Sequence, residues 1–146
     1  MPASRDCARQ VVETVPVAMR LIRSEMRLHC GNQLSVPQFR TLAFLYREPG
    51  ASLSQVAGHL GVTPPTVSKI VDRLVERGLV QRRDDPRSRR RLILSATGKG
   101  RDLFENARER TTERIAERLD GLAPSDLAAI QAAMGLFDRV LRPGAT

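Results

Sequence analysis

Leu53-Ser54-Gln55-Val56-Ala57-Gly58-His59-Leu60-Gly61-Val62-Thr63-Pro64-Pro65-Thr66-Val67-Ser68-Lys69-Ile70 decides the fold of this chain. Two helices packed at close range need a small residue where they approach, a turn residue tolerating positive φ, and apolar side chains on the facing surfaces. Ala57 supplies the first and Gly61 the second. Val56, Leu60, Val62, Val67 and Ile70 supply the third. Ser52 and Gln55 have capping-box spacing, which predicts where the first of these helices begins. Thr63 is a good N-cap for the second. Pro64 fits the first helical position, where its missing N–H costs nothing. That second helix turns Val67, Ile70, Val71 and Leu74 inward and ends at Gly78. The pattern is a helix-turn-helix. A plain helical hairpin would share the spacing, and the basic segment beyond Gly78 tells against it.

Two strand-like runs, 79–83 and 91–95, flank the polar segment 84–90, which contains Pro86. This predicts a hairpin whose loop is longer than a two-residue turn needs and whose tip carries charge. Charge is concentrated in the same region. Residues 63–101 hold eleven Lys/Arg against four Asp/Glu, a net +7 in a chain whose total is +8. Charge confined to one segment makes one charged face, which attracts polyanions. Of the 24 basic residues only Lys69 and Lys99 are lysines. Arginine makes bidentate contacts to phosphate and guanine, although a GC-rich genome gives the same bias.

A basic hairpin behind a helix-turn-helix is a wing, so these residues imply binding to double-stranded DNA. The second helix of such a motif enters the major groove by its N-terminal half. Pro65, Thr66, Ser68, Lys69, Asp72 and Arg73 point away from its core side. Thr66, Ser68 and Lys69 are the candidates for base edges, and Arg73 for phosphate. At the wing tip, Arg87, Arg89 and Arg90 are candidates for the minor groove, where a narrow A·T tract concentrates negative potential. Asp84 and Asp85 are expected to hold the tip arginines by ion pairs.

Outward from the motif the chain reads as helical. Residues 1–8 look frayed. Val12, Val15, Met19, Ile22 and Met26 mark one helix face, with Pro16 either starting or kinking that helix and Gly31-Asn32 ending it. Ser35 and Gln38 form a second capping box, with Leu34 and Phe39 placed as a hydrophobic staple; Glu48-Pro49-Gly50 stops that helix. Thr97 caps a long helix over about 98–120, rich in interleaved Arg and Glu. Pro124 opens a last helix with the stripe Leu127, Ile130, Met134, Phe137 and Leu141. Helices so sparse in apolar positions, or with an apolar stripe left over, need another surface to lie on. The fold class is mainly α with a small β-hairpin wing, a winged helix-turn-helix.

Composition excludes several alternatives. Aromatics are 3% of the 146 residues and Trp is absent, which disfavours platforms that stack single-stranded bases. No apolar run approaches the ~18 residues of a membrane span, and no signal-peptide pattern opens the chain, so no membrane partner and a cytoplasmic location are expected. Cys7 and Cys30 make no disulfide framework and are expected to be reduced. No metal-ligand spacing, nucleophile–base–orienter set or phosphate-cradling glycine loop is present. No catalytic residue, metal site or cofactor is assigned, and the chain is not expected to be an enzyme.

From Leu34 to Gly100 the sequence resembles the MarR family of transcription factors. The resemblance rests on Gln38-Phe39, Leu53-Ser54-Gln55-Val56-Ala57, Thr63-Pro64-Pro65-Thr66-Val67-Ser68, Leu74-Val75-Glu76-Arg77-Gly78-Leu79-Val80, Asp85-Pro86-Arg87-Ser88-Arg89-Arg90, and Thr97 followed by Gly100. It implies a homodimer. Residues 1–34 would form an N-terminal dimerisation helix, 35–100 the DNA-binding lobe, and 101–146 the C-terminal dimerisation helices. It also implies a pseudo-palindromic operator, repression, and relief by a small anionic or phenolic effector or by cysteine oxidation. Arg90 aligns with the wing arginine that family members use on DNA. Two departures stand out: Ser88 replaces the usual wing Asp, with Asp85 as the candidate substitute, and Ala96-Thr97 replaces a Leu-Thr pair. No effector-binding residue is assigned, although Arg20, Arg23, Arg27, Arg40 and Arg47 offer charge for a carboxylate. The competing readings are a redox-responsive regulator of the same fold, using Cys7 or Cys30, and a nonspecific architectural DNA-binding protein.

Overall fold

The computed structural model describes residues 2–31 and 34–142; Asn32 and the Arg89 side chain lie outside the described set. The elements are α1 (Pro2–His29), α2 (Val36–Arg47), β1 (Ala51–Ser52), α3 (Leu53–Leu60), α4 (Pro64–Glu76), β2 (Val80–Asp85), β3 (Ser88–Ala96), α5 (Gly98–Leu119) and α6 (Pro124–Leu141). They fall into two compact units, the first running to Thr111 and the second beginning at Thr112.

In the first unit, α1 is helical from Pro2 and continues through Pro16. The expectation of frayed residues 1–8 is corrected for 2–8, as is that of a start near Pro16. Pro2 sits in the first turn, where no N–H is needed. At Pro16 a single lost hydrogen bond falls within 28 helical residues and does not break the helix. Gly31, at φ 82°, ends it.

Both capping boxes form. The Ser35 amide donates to Gln38 Oε1 at 3.1 Å, and the Gln38 amide to Ser35 Oγ at 3.2 Å. The equivalent Ser52–Gln55 distances are 2.8 and 3.2 Å. Each box satisfies two of the amides that a helix start leaves free. Gly61 takes the left-handed conformation between α3 and α4 at φ 71°. Thr63 occupies the N-cap position of α4, but its side chain caps no amide. Pro64 and Pro65 have no N–H, and the Thr66 amide bonds the Thr63 carbonyl at 3.1 Å. The Thr63 hydroxyl lies 3.0 Å from that of Thr66 instead. Val56, Val67, Val71 and Leu74 are fully buried, and Ala57 nearly so. Val62, read from the sequence as an inner-face position, is exposed.

The sheet has three antiparallel strands in the order β1-β3-β2. β1 was not foreseen; Glu48-Pro49-Gly50 read only as a helix stop. Ala51 pairs with Leu94 and Ser52 with Ile93. The wing differs from expectation as well. Asp85 pairs with Ser88 across the two-residue turn Pro86-Arg87, and a register shift falls between Asp84 and Asp85. The strands therefore extend into the segment read as loop. Their outer positions are charged, so no apolar alternation marks them, and backbone pairing alone carries the ladder.

α5 is anchored on the root of the wing. The Thr97 amide donates to the Leu79 carbonyl at 3.0 Å. The Thr97 hydroxyl donates to the Gly78 carbonyl and accepts from the Gly100 amide. Lys99 Nζ donates to the Arg77 carbonyl at 3.0 Å, at the C-terminus of α4, where a cation meets the helix dipole favourably. Further along, Phe104 stacks on Phe39 and meets Tyr46, with ring centroids 6.2 and 4.5 Å apart. Phe104 and Ala107 join Leu42, Leu45, Leu74, Leu94 and Phe39 in the core.

In the second unit, α6 buries no residue: Met134, Leu136, Val140 and Leu141 are all exposed. The apolar residues Val12, Val17, Met19 and Ile22 of α1, in the first unit, are exposed as well.

The close approach at the start of α5 generates a stability prediction. A Cβ at position 100 would lie 2.1 Å from the Leu79 carbonyl oxygen and 3.2 Å from Leu42 Cδ1, whereas at position 98 nothing lies within 4 Å. Gly100→Ala should destabilise the protein by about 2–3 kcal/mol, and Gly98→Ala should stay within about 1 kcal/mol of the parent, as read by chemical denaturation.

Candidate nucleic-acid interface

The outward side of α4 carries two parallel rows at helical spacing. Thr66, Lys69 and Arg73 form one, all exposed; Pro65, Ser68 and Asp72 form the other, with Ser68 and Asp72 half-buried. Residues three and four apart are neighbours on a helix surface. Val67, Val71 and Leu74 bury the opposite side, so neither row can turn inward. Five of the predicted contact residues thus share one solvent-facing surface.

At the wing, Arg87 is exposed in the turn and Arg90 is exposed on β3, beside the exposed Arg83 and Arg91. The side chain of Arg89 lies outside the described residues. Asp85 braces the tip in a different way from the expected ion pair. Its Oδ1 accepts the backbone N–H of Arg87 at 2.9 Å, the local turn that an aspartate makes with an amide two residues on. This leaves the Arg87 guanidinium to be aimed by its backbone.

One link between the helix and the wing was missed. Arg82 Nη1 lies 2.7 Å from Asp72 Oδ1. The signal was available as strand parity: Arg82 stands opposite the buried Leu94 and two residues after the buried Val80. Its side chain therefore belongs to the face that packs on α4.

A cavity of about 400 Å³ opens among Leu34, Arg77, Leu79, Lys99 and Leu103. It combines apolar walls with two cationic side chains. The five arginines considered for a carboxylate, Arg20, Arg23, Arg27, Arg40 and Arg47, are exposed and line no part of it. Arg40 Nη2 reaches the His59 carbonyl at 3.5 Å, and His59 stacks on Phe44 at 4.5 Å, which gives that histidine a packing role. Cys30 is buried, and burial pushes its thiol up to about 11; Cys7 is exposed. Among the described residues no three His, Cys, Asp or Glu side chains group as a metal site, and no helix is long and apolar enough to cross a membrane.

A basic, outward helix face beside a basic hairpin can contact phosphates and base edges together. Comparison with known proteins agrees with that geometry. A MarR family model matches residues 32–91. Mb0904, an HTH-type transcriptional regulator of Mycobacterium bovis, is 28% identical over 119 residues, spanning 82% of this chain and 83% of its own. Mb2911, an HTH-type transcriptional repressor of the same organism, is 34% identical over 74 residues, 51% of this chain and 53% of its own. A MepR mutant of S. aureus, solved bound to an oligodeoxyribonucleotide, shares the fold at a TM-score of 0.60 and 24% identity, over 88% of this chain and 99% of that one. These relatives are regulators and not enzymes. A MarR family model thus accounts for the helix-turn-helix and most of the wing, and the chain shares the winged helix-turn-helix fold of these regulators.

Proposed function

We propose that the protein is a cytoplasmic homodimeric repressor that binds a pseudo-palindromic operator in double-stranded DNA and is released by a small anionic or phenolic effector. The observation that carries this reading is the outward surface of α4 next to the wing. Thr66, Ser68 and Lys69 address base edges in the major groove, with Pro65 lying against the same groove. Arg73 meets phosphate. Arg87, Arg89 and Arg90 address the minor groove. Short polar side chains at the N-terminal half of the helix fit base readout better than a uniformly cationic face, which would bind any sequence.

Dimerisation is supported by the apolar residues that α1 and α6 each leave in solvent. Two-fold pairing of these helices would cover them and present two wings. In this reading residues 1–34 and 101–146 are the dimerisation segments and 35–100 the DNA-binding lobe. The effector reading is supported by the cavity beside Arg77 and Lys99, whose apolar walls and cationic rim fit an amphipathic anion. Redox control through Cys30 is not favoured. The Cys30 thiol, pushed up to about 11 by burial, is almost wholly protonated at neutral pH, and the thiolate is the reactive form.

Three results test the reading. Arg90→Ala should weaken binding to a duplex selected by the protein from a random pool by about 1–3 kcal/mol without unfolding the protein; undiminished affinity would remove the wing from the interface. Lys69→Ala should change sequence preference more than salt dependence, and a uniform loss across sequences would reassign Lys69 to phosphate. Alkylation near pH 7.5 should label Cys7 and spare Cys30. Raising the pH towards 11 should bring Cys30 into reaction, because its folded-state thiol ionises only there; rapid labelling of Cys30 at pH 7.5 would restore the redox reading.

A further inference from the structure

Besides Glu76 in its last turn, the outward surface of α4 carries a second carboxylate, Asp72. It lies three residues after Lys69 and four after Ser68, so it shares their side of the helix. A bare carboxylate there would repel the phosphate backbone. It is not bare, since Arg82 Nη1 sits 2.7 Å from its Oδ1, and the two side chains are 38% and 48% exposed. Both ends of the pair stand on fixed backbone. Asp72 follows the fully buried Val71 and lies two residues before the fully buried Leu74. Arg82 is paired in register with the fully buried Leu94 on the central strand. The backbone at both ends is thus fixed, and only the two side chains need be ordered to hold the pair.

From this geometry we infer that Asp72 is a positioning residue that withholds Arg82 from the phosphate backbone and so limits sequence-independent DNA binding. The inference rests on the DNA-binding reading given above. Arg82 keeps 38% of its side chain exposed beside Asp72, on the side of α4 that carries Ser68 and Lys69. Its Nη1 is engaged by Asp72, so turning the guanidinium towards a phosphate would loosen that bond and leave the carboxylate less compensated among phosphates. The neutral pair is favoured over either separated charge. Arg83, one residue on, belongs to the opposite face of the strand and is not restrained by this carboxylate. Nonspecific binding is a counterion-release effect that grows with each phosphate neutralised. A regulator searching a genome gains by keeping that term small, and Asp72 removes one guanidinium from it.

The test is a double-mutant cycle on the full-length protein. Binding to a scrambled duplex of roughly 30 base pairs, about three helical turns, is followed by fluorescence anisotropy from about 50 to 200 mM salt. Asp72→Asn should tighten binding at low salt and steepen the log–log salt slope by about 0.9, the increment for one further phosphate. In the Arg82→Ala background the same substitution should leave the slope nearly unchanged, because no arginine remains to be released. Equal steepening in both backgrounds would mean a general charge effect and would overturn the inference; so would an unchanged slope in both. Both positions are half-exposed, and thermal unfolding should find every variant folded. Absence of duplex binding by the wild-type protein would overturn the DNA-binding reading and this inference with it, whereas a binding wild type with a failed cycle would overturn the inference alone.

Discussion

The structure depends on a strand that is paired on both edges. β3 lies between β1 and β2, and Leu94 is its pivot. Its side chain is fully buried, and its carbonyl accepts the Gly50 amide at 2.9 Å. It stands opposite Ala51 on one side and Arg82 on the other. The next residue of β1, Ser52, caps α3. The same strand therefore sets where the helix-turn-helix begins and where the wing stands. A one-residue slip in β3 would turn Leu94 out and the basic residues in, so burial of that side chain holds the register of the wing. The recognition surface is best understood as two elements hung on one strand, with the Arg82–Asp72 pair as a further tie between them.

A second constraint lies where α5 meets the root of the wing. Gly100 lets the helix press against the Leu79 carbonyl, and Thr97 and Lys99 take up the carbonyls of Gly78 and Arg77 at the end of α4. Side chains from the start of α5 thus satisfy carbonyls at the C-terminus of α4. The cavity lined by Arg77, Leu79, Lys99 and Leu103 opens at this junction. An anion there would compete for Lys99 with the carbonyl it now satisfies, which gives the proposed effector a physical route to α4.

Much of this was legible from residue types alone, for identifiable reasons. Capping boxes are local, so Ser35–Gln38 and Ser52–Gln55 could be read directly. Ala57 and Gly61 are demanded by close packing and by positive φ, and Val67 and Leu74 by helical periodicity. Other features needed the assembled fold. β1 is only two residues long and exists because β3 has a free edge beside it. Thr63 looks like a capping residue, but Pro65 removes one amide a side chain would cap, and the other, that of Thr66, bonds the Thr63 carbonyl. Val62 counts as apolar in the motif pattern, yet the turn carries it into solvent. The wing turn is tighter than the sequence suggests because Asp84, Asp85 and Ser88, which show no apolar alternation, occupy paired positions. Residues 2–8 carry no stop signal after Pro2, and the helix simply continues back to it. The Asp72–Arg82 pair spans ten residues and two kinds of element; only sheet parity, read against the helix face, brings it into view.

The central claim is that the surface formed by α4 and the wing reads sequence and does not merely attract DNA. Its most direct test is competition. The wild-type protein bound to a duplex enriched from a random pool is challenged near physiological salt with the same bases in shuffled order. Sequence-specific regulators prefer their sites by about 10³-fold or more, and a ratio of that order is predicted here. Equal displacement by the shuffled duplex would contradict the account and leave the protein as a general coater of DNA.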